Sequence, residues 1–136
     1  MEGPFRSRCT IASALDVIGD KWTLVVIRSL MLGATSYSDL LAAPEKIATN
    51  ILADRLARLQ AWDLVKCVPA PVGGKARGQY QLTSAGADLL PVLQAMAAWG
   101  ATHLPDRWRV PEWFKEAKPQ DFLDGSRPRH TPATGL

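Results

Sequence analysis

Apolar residues recur at helical spacing along most of the chain. Ile11, Ala14, Leu15 and Ile18 fall at i, i+3, i+4 and i+7. They predict a helix over 9–18, with Thr10 as its cap and Gly19 as its stop. Asp20 is placed to cap a second helix over 21–32, whose inner side carries Trp22, Val25, Val26 and Leu30 and which Gly33 ends. Thr35 and Ser36 lead into a short helix over 38–43, stopped by Pro44. The next helix is predicted over 49–62. Ala48, Leu52, Leu56 and Leu59 form its apolar stripe, and Asn50, Ala53, Asp54 and Ala57 point elsewhere.

The period then changes. Residues 64–68 and 79–82 read as short strands, and the Pro- and Gly-rich stretch between them reads as a loop, so the pair predicts a hairpin. Thr83 is placed to cap a long helix reaching Gly100. Leu89, Leu90, Val92, Leu93, Met96, Ala97 and Trp99 make that helix apolar on more than one face. Such a helix needs partners on two sides: its own domain, and by expectation a second subunit. From Pro105 the composition shifts, with five of the ten prolines interleaved with Trp108, Trp113, Phe114 and Phe122. The pattern predicts a mainly α fold with a small β-hairpin, a domain over 1–104 and a Pro- and aromatic-rich extension over 105–136. Residues from Gly125 on read as a loose tail.

Composition narrows the classes. A chain of 136 residues with 47% hydrophobic and 21% charged content is sized for one globular domain. No apolar run approaches the roughly 20 residues of a membrane span, and Met1 to Arg8 holds no apolar signal core, so a cytoplasmic location and no membrane partner are expected. Two cysteines, Cys9 and Cys67, are too few for a disulfide framework or a structural zinc site. The net charge of +3 is spread evenly, ten cations against eight anions in 1–104 and six against five in 105–136. Affinity for nucleic acid therefore has to come from local placement. With two histidines, His103 and His130, and no metal spacing, phosphate loop or nucleophile–base pair, neither enzymatic chemistry nor a cofactor is expected.

The short helix, the turn over 44–47 and the helix after it form a helix-turn-helix, and the hairpin behind them forms a wing. In this arrangement the second helix of the pair lies in the major groove. Thr49 and Asn50 stand at its N-terminus, where Asn suits adenine and Thr offers a hydroxyl or a methyl. Lys46, Arg55 and Arg58 are cations near that helix, and Lys75 and Arg77 give the wing loop a basic tip suited to phosphates. Backbone amides at Ser36, Tyr37 and Ser38 are placed to hold a further phosphate. Each has a plainer alternative. Arg55 is as well suited to pair with Asp39 or Asp54, and Asp54 to neutralise Arg58 at i+4. A dimeric interaction module without DNA binding is the competing class, favoured by Asp54 and the low net charge.

The run from Cys9 to Leu24, with Ile18-Gly19-Asp20-Lys21-Trp22-Thr23 at its centre, resembles the opening signature of the HxlR family of winged-helix regulators. Ile47 to Leu59 resembles that family's recognition helix. Tyr80 to Gly86, followed by Leu89-Leu90-Pro91-Val92-Leu93, resembles its wing exit and dimer helix. The sequence departs at Thr10, where the family usually has Pro, at Asp63, where it has Gly, and at Gln79, where it has an acid. The resemblance spans roughly Cys9 to Gly100. It implies a winged helix-turn-helix that dimerises through its terminal helices and binds an inverted-repeat operator as a transcriptional regulator, with repression the expected mode. Some members sense electrophiles, quinones or oxidants through the cysteine at the first helix, and Cys9 matches that position. A helix start with Arg6 and Arg8 beside it favours thiolate chemistry there. The alternative is a quiet cysteine at the dimer interface. Cys67, in a strand with Leu64 and Val68, is expected to be an ordinary packed residue. Trp99, Trp108 and Trp113 could line an apolar pocket for a small-molecule effector or serve as core and interface.

Overall fold

The computed structural model describes residues 5–69 and 78–123. Within them run α1 (Thr10–Ile18), α2 (Thr23–Met31), α3 (Tyr37–Leu41), α4 (Thr49–Ala61), β1 (Val65–Val68), β2 (Gln79–Leu82), α5 (Ser84–Ala87), α6 (Leu90–His103), α7 (Glu112–Glu116) and a 3-10 turn over Pro119–Phe122. The strands pair antiparallel with Val65 opposite Leu82 and Val68 opposite Gln79, which forms the expected hairpin. The predicted tail from Gly125 lies outside the described residues.

Local polar chemistry sets the helix ends. Cys9, not Thr10, is the N-cap of α1, and its side chain makes no capping bond. Thr10 already has helical geometry, and the Cys9 amide donates to Ser7 Oγ instead, at 3.2 Å. Helix α2 starts two residues later than expected, with Trp22 and not Asp20 at its N-cap, but the Asp20 carboxylate still accepts from the amides of Trp22 and Thr23 at 3.0 and 3.1 Å. Ser36 caps α3 reciprocally: its hydroxyl accepts from the Asp39 amide, and the Asp39 carboxylate accepts from the amides of Thr35 and Ser36.

The long helix predicted from Thr83 to Gly100 is in fact two. Pro91 has no N–H to give and its ring crowds the carbonyl four residues back, so the helix cannot run through residue 87. The Leu89 amide bonds to Gly86 O at 3.1 Å instead, a tighter turn, and α6 then starts with Pro91 in its first turn. Upstream, the Thr83 hydroxyl accepts from the Gly86 amide and donates to Asp63 O, clamping α5 to the entry of the hairpin. Asp63 there has φ 61°, the left-handed conformation that suits glycine better. Gly86 is obligatory in another way. A Cβ on it would lie 2.0 Å from Leu64 O, so helix and hairpin backbone meet with nothing between them.

Leu52, Leu56 and Leu59 of α4 are buried in one core with Val26, Ile27, Leu30 and Met31 of α2, which Leu40, Ile47, Val65, Leu82, Leu90 and Leu93 complete. Each such side chain contributes about 1.5–3 kcal/mol of burial. Ala48 does not join the stripe: it is exposed at the N-cap, and Ile47 takes the buried place. Phe114 of the extension is 1% exposed in this same core. Gln94 on α6 donates through Nε2 to the carbonyls of Phe114 and Ala117, both at 3.0 Å, which holds the extension against the helix. Among the described residues no helix is long and apolar enough to cross a membrane.

Candidate nucleic-acid interface

α3, the turn after it and α4 are locked into one unit. The Tyr37 hydroxyl donates to Thr49 O at 2.8 Å, joining α3 to the first residue of α4. Lys46 reverses the chain between them in a left-handed conformation, φ 60°, with its amide donating to Ala43 O. Arg28 of α2 grips the turn with a fork: its two terminal nitrogens donate to the two carboxylate oxygens of Glu45 at 2.6 and 2.9 Å. These hydrogen bonds from Arg28 hold the Glu45 carboxyl below its ordinary range. A second tie joins the α1–α2 junction to α4. Arg55 Nε donates to Asp20 at 2.7 Å, and Thr23 donates its hydroxyl to the same carboxylate. Partial burial pushes the Asp20 carboxyl up, but hydrogen bonds from Thr23, Arg55 and the Trp22 amide outweigh it and hold the group well below the carboxylate range.

The result is an α4 whose N-terminus is open to solvent. Thr49 and Asn50 are exposed, as is Lys46 just before them. Ala53 and Ala57 continue the exposed face. Their small side chains leave the helix backbone approachable along that face. Ser36, Tyr37 and Ser38 lie at the start of α3, and of their three amides that of Ser36 already donates to the Asp39 carboxylate within the cap. Arg55 carries a structural load: its side chain is 17% exposed and bridges Asp20 and Asp54, not Asp39. Asp54 accordingly pairs with Arg55 at 2.6 Å and not with Arg58. Arg58 stands half-buried near the far end of the helix. Lys75 and Arg77 lie outside the described residues. Sequence reasoning missed Arg28 and Glu45, whose pairing across 17 positions has no local signal, and the partner of Arg55, 35 positions away.

The remaining candidates separate. Cys9 is exposed. Of its two expected cations, Arg6 is committed to Asp16, through Nε at 2.6 Å and through the backbone amide, and that amide bond leads in lowering the Asp16 carboxyl. Cys67 is exposed as well, contrary to the packed role expected of it. It shares a strand face with buried Val65 and stands opposite Tyr80, which packs on the edge of the core. The three late tryptophans do not form one pocket. Trp99 is 61% exposed beside the His103 ring, Trp113 packs on Phe114 and Phe122, and Trp108 alone lines a groove. Apolar side chains are also exposed on two helices: Ile11 and Leu15 on α1, and Val92, Met96 and Trp99 on α6.

A helical core carrying a helix-turn-helix, followed by an antiparallel hairpin, is a winged helix-turn-helix, the architecture of a large class of transcription regulators. The chain belongs to the HxlR-like helix-turn-helix family, whose pattern matches residues 17–107. It is 31% identical over 96 residues to the HTH-type transcriptional regulator MT3179 of Mycobacterium tuberculosis, covering 71% of this chain and 60% of that one. It thus spans about three fifths of the mycobacterial relative's length. The structure is similar to PA1607, with TM-score 0.68 and 34% identity over 77% of this chain and 73% of that one. It is also similar to the reduced form of the transcriptional regulator YodB from Bacillus subtilis, with TM-score 0.61 and 26% identity over 74% and 99%. The family and these relatives are transcription regulators, not enzymes.

Proposed function

We propose that this chain is a cytoplasmic, sequence-specific DNA-binding repressor that acts as a homodimer on an inverted-repeat operator. The observation that carries the reading is the exposed N-terminus of α4. Thr49 and Asn50 stand free there on a helix-turn-helix locked from behind by Arg28, Glu45 and Tyr37. Asn50 and Thr49 read bases, Lys46 and Arg58 contact the backbone beside them, and Lys75 and Arg77 of the wing contact it farther out. Arg55 acts mainly by holding α4 to the α1–α2 junction, with Ser36, Tyr37 and Ser38 orienting the helix start. The exposed apolar faces of α1 and α6 supply the dimer contact. A two-fold dimer presents two equal recognition helices, hence an inverted repeat.

Selection of bound duplexes from a randomised pool tests this. The expected outcome is an inverted repeat with half-sites about one helical turn apart. Recovery of unrelated sequences at equal affinity overturns the reading.

A redox response is the second reading. The exposure of Cys9 at the start of α1, close in sequence to Ile11 on the apolar face, favours it. Known structures include the oxidised form of the redox regulator HypR, 25% identical to this chain with TM-score 0.63. Modification of Cys9 then displaces α1 from the partner subunit and lowers operator affinity. Quinone treatment of wild type and Cys9→Ser, with operator affinity as the readout, distinguishes the cases: equal responses make Cys9 structural.

A further inference from the structure

α6 has another side, turned away from its exposed apolar residues. Away from Val92, Met96 and Trp99, the helix presents Ala97, Ala101 and Leu104 to the returning chain over 107–110, and between them lies a groove of about 620 Å³. Gln94 and Phe114 hold the two walls together at one end. The floor is left open by small side chains. At Gly100 a Cβ would meet only Leu104 Cδ1, at 3.9 Å. The volume lies inside the range of about 300–1,000 Å³ typical of small-molecule sites.

The charge on this groove is one-sided. Arg107, Arg109 and Lys115 line it and, among the described residues, no carboxylate does. Lys115 is neutralised by Glu112 at 2.9 Å. Among the described residues neither Arg107 nor Arg109 makes an ion pair; Arg107 Nε donates to the Pro105 carbonyl. The indole of Trp108, 70% exposed, stands between these two guanidinium groups in sequence and lines the same groove. Apolar walls call for a flat apolar body, and a guanidinium pair calls for an anionic end that it can grip bidentately.

We propose that this groove is a binding site for a small aromatic carboxylate, its rings against Trp108, Val110 and Phe114 and its carboxylate on Arg107 and Arg109. The inference goes beyond the regulator reading and does not depend on it. The test is calorimetric titration of the full chain, without DNA, with naphthoate, the matched neutral naphthamide and the matched cationic naphthylmethylamine. Naphthoate is expected to bind with Kd below about 1 mM, and the amide and amine at least about tenfold more weakly. Arg107→Gln with Arg109→Gln removes most of that preference, and both positions are exposed, so the fold is retained. Ala101→Leu fills the floor and abolishes binding, with circular dichroism confirming a folded chain. Equal affinity for acid and amide, an unchanged double variant, or no binding at all, as when a second copy covers the groove, overturns the proposal. Because no DNA is present, failure here leaves the regulator reading standing, and failure of operator selection leaves this site standing.

Discussion

α4 and α6 are of nearly equal length, 13 and 14 residues, yet they offer solvent opposite surfaces. α4 buries Leu52, Leu56 and Leu59 and exposes Asn50, Ala53, Asp54 and Ala57. α6 buries Leu90 and Leu93 and exposes Val92, Met96 and Trp99. The first face is small and polar, content in water and suited to a hydrated, charged partner. The second is large and apolar, and together with Ile11 and Leu15 of α1 it exposes surface that solvent does not favour. One chain thus carries two open faces of different chemistry. On the regulator reading the apolar one sets the geometry of the polar one, because pairing two chains fixes the spacing between their α4 helices.

The largest effect should come from putting charge into the apolar face. Leu15→Lys with Met96→Lys replaces two exposed apolar side chains, so the monomer stays folded. In a dimer each lysine would be buried unpaired, at a cost of several kcal/mol. Sedimentation velocity at micromolar concentration should show dimers for wild type and monomers for the variant, with operator affinity falling at least about a hundredfold. A variant that stays dimeric breaks the comparison. The next effect belongs to the side of α6 that is core. Phe114→Ala should lower stability by roughly 3–5 kcal/mol in urea unfolding. A loss below about 1 kcal/mol would make the extension an ornament of the fold rather than part of it.

Much of the architecture is legible in the sequence because it rests on short-range signals. The helical stripe Leu52-Leu56-Leu59, the strand at Gln79–Leu82, the cap at Thr83 and the bonds of Asp20 to the first amides of α2 are set by residues within one or two turns. The break at Pro91 is readable too, but the continuous apolar pattern on either side masks it. Cys67 escapes the pattern because alternation gives the face of a strand, not how deeply each position on that face is buried. In the candidate interface, the exposure of Thr49 and Asn50 is legible, because the helix start alone sets it. The interface is not legible at Arg28–Glu45 and Asp20–Arg55, pairs that only the tertiary fold brings together, the first joining α2 to the turn before α4 and the second joining the α1–α2 junction to α4. The tryptophan pocket fails for a related reason. Aromatic residues close in sequence need not converge: Trp108 lines the groove beside α6, and Trp99 does not.

The polar face of α4 is sharpened by a paired substitution. Asn50→Ala should cost roughly 1–3 kcal/mol on the selected operator, confined to one base position, and little on random DNA. The exposed Glu116→Ala on α7 should change neither. Equal losses on operator and random duplexes would remove Asn50 from base reading.

The smallest effect concerns the tie that holds the polar face in place. Asp20 accepts from Arg55 of α4, from Thr23 of α2 and from the Trp22 amide, and its carboxyl is held below the ordinary value of 3.8. A lowered folded-state value means that the stabilisation is fully present above the unfolded value and is lost as pH falls toward the folded one. At pH 7 Asp20→Asn should therefore cost roughly 1 kcal/mol of stability, a neutral amide being a weaker acceptor for Arg55 than a carboxylate. The gap between wild type and variant should narrow as pH drops below about 4, since the unfolded wild-type chain then gains a proton that the folded one resists. Urea unfolding at pH 7 and pH 3 measures both gaps, and acid effects elsewhere in the chain cancel in the difference. A gap that stays constant across that range would mean the carboxylate is not selectively ionised in the folded chain. α4 would then be held to the α1–α2 junction by packing alone.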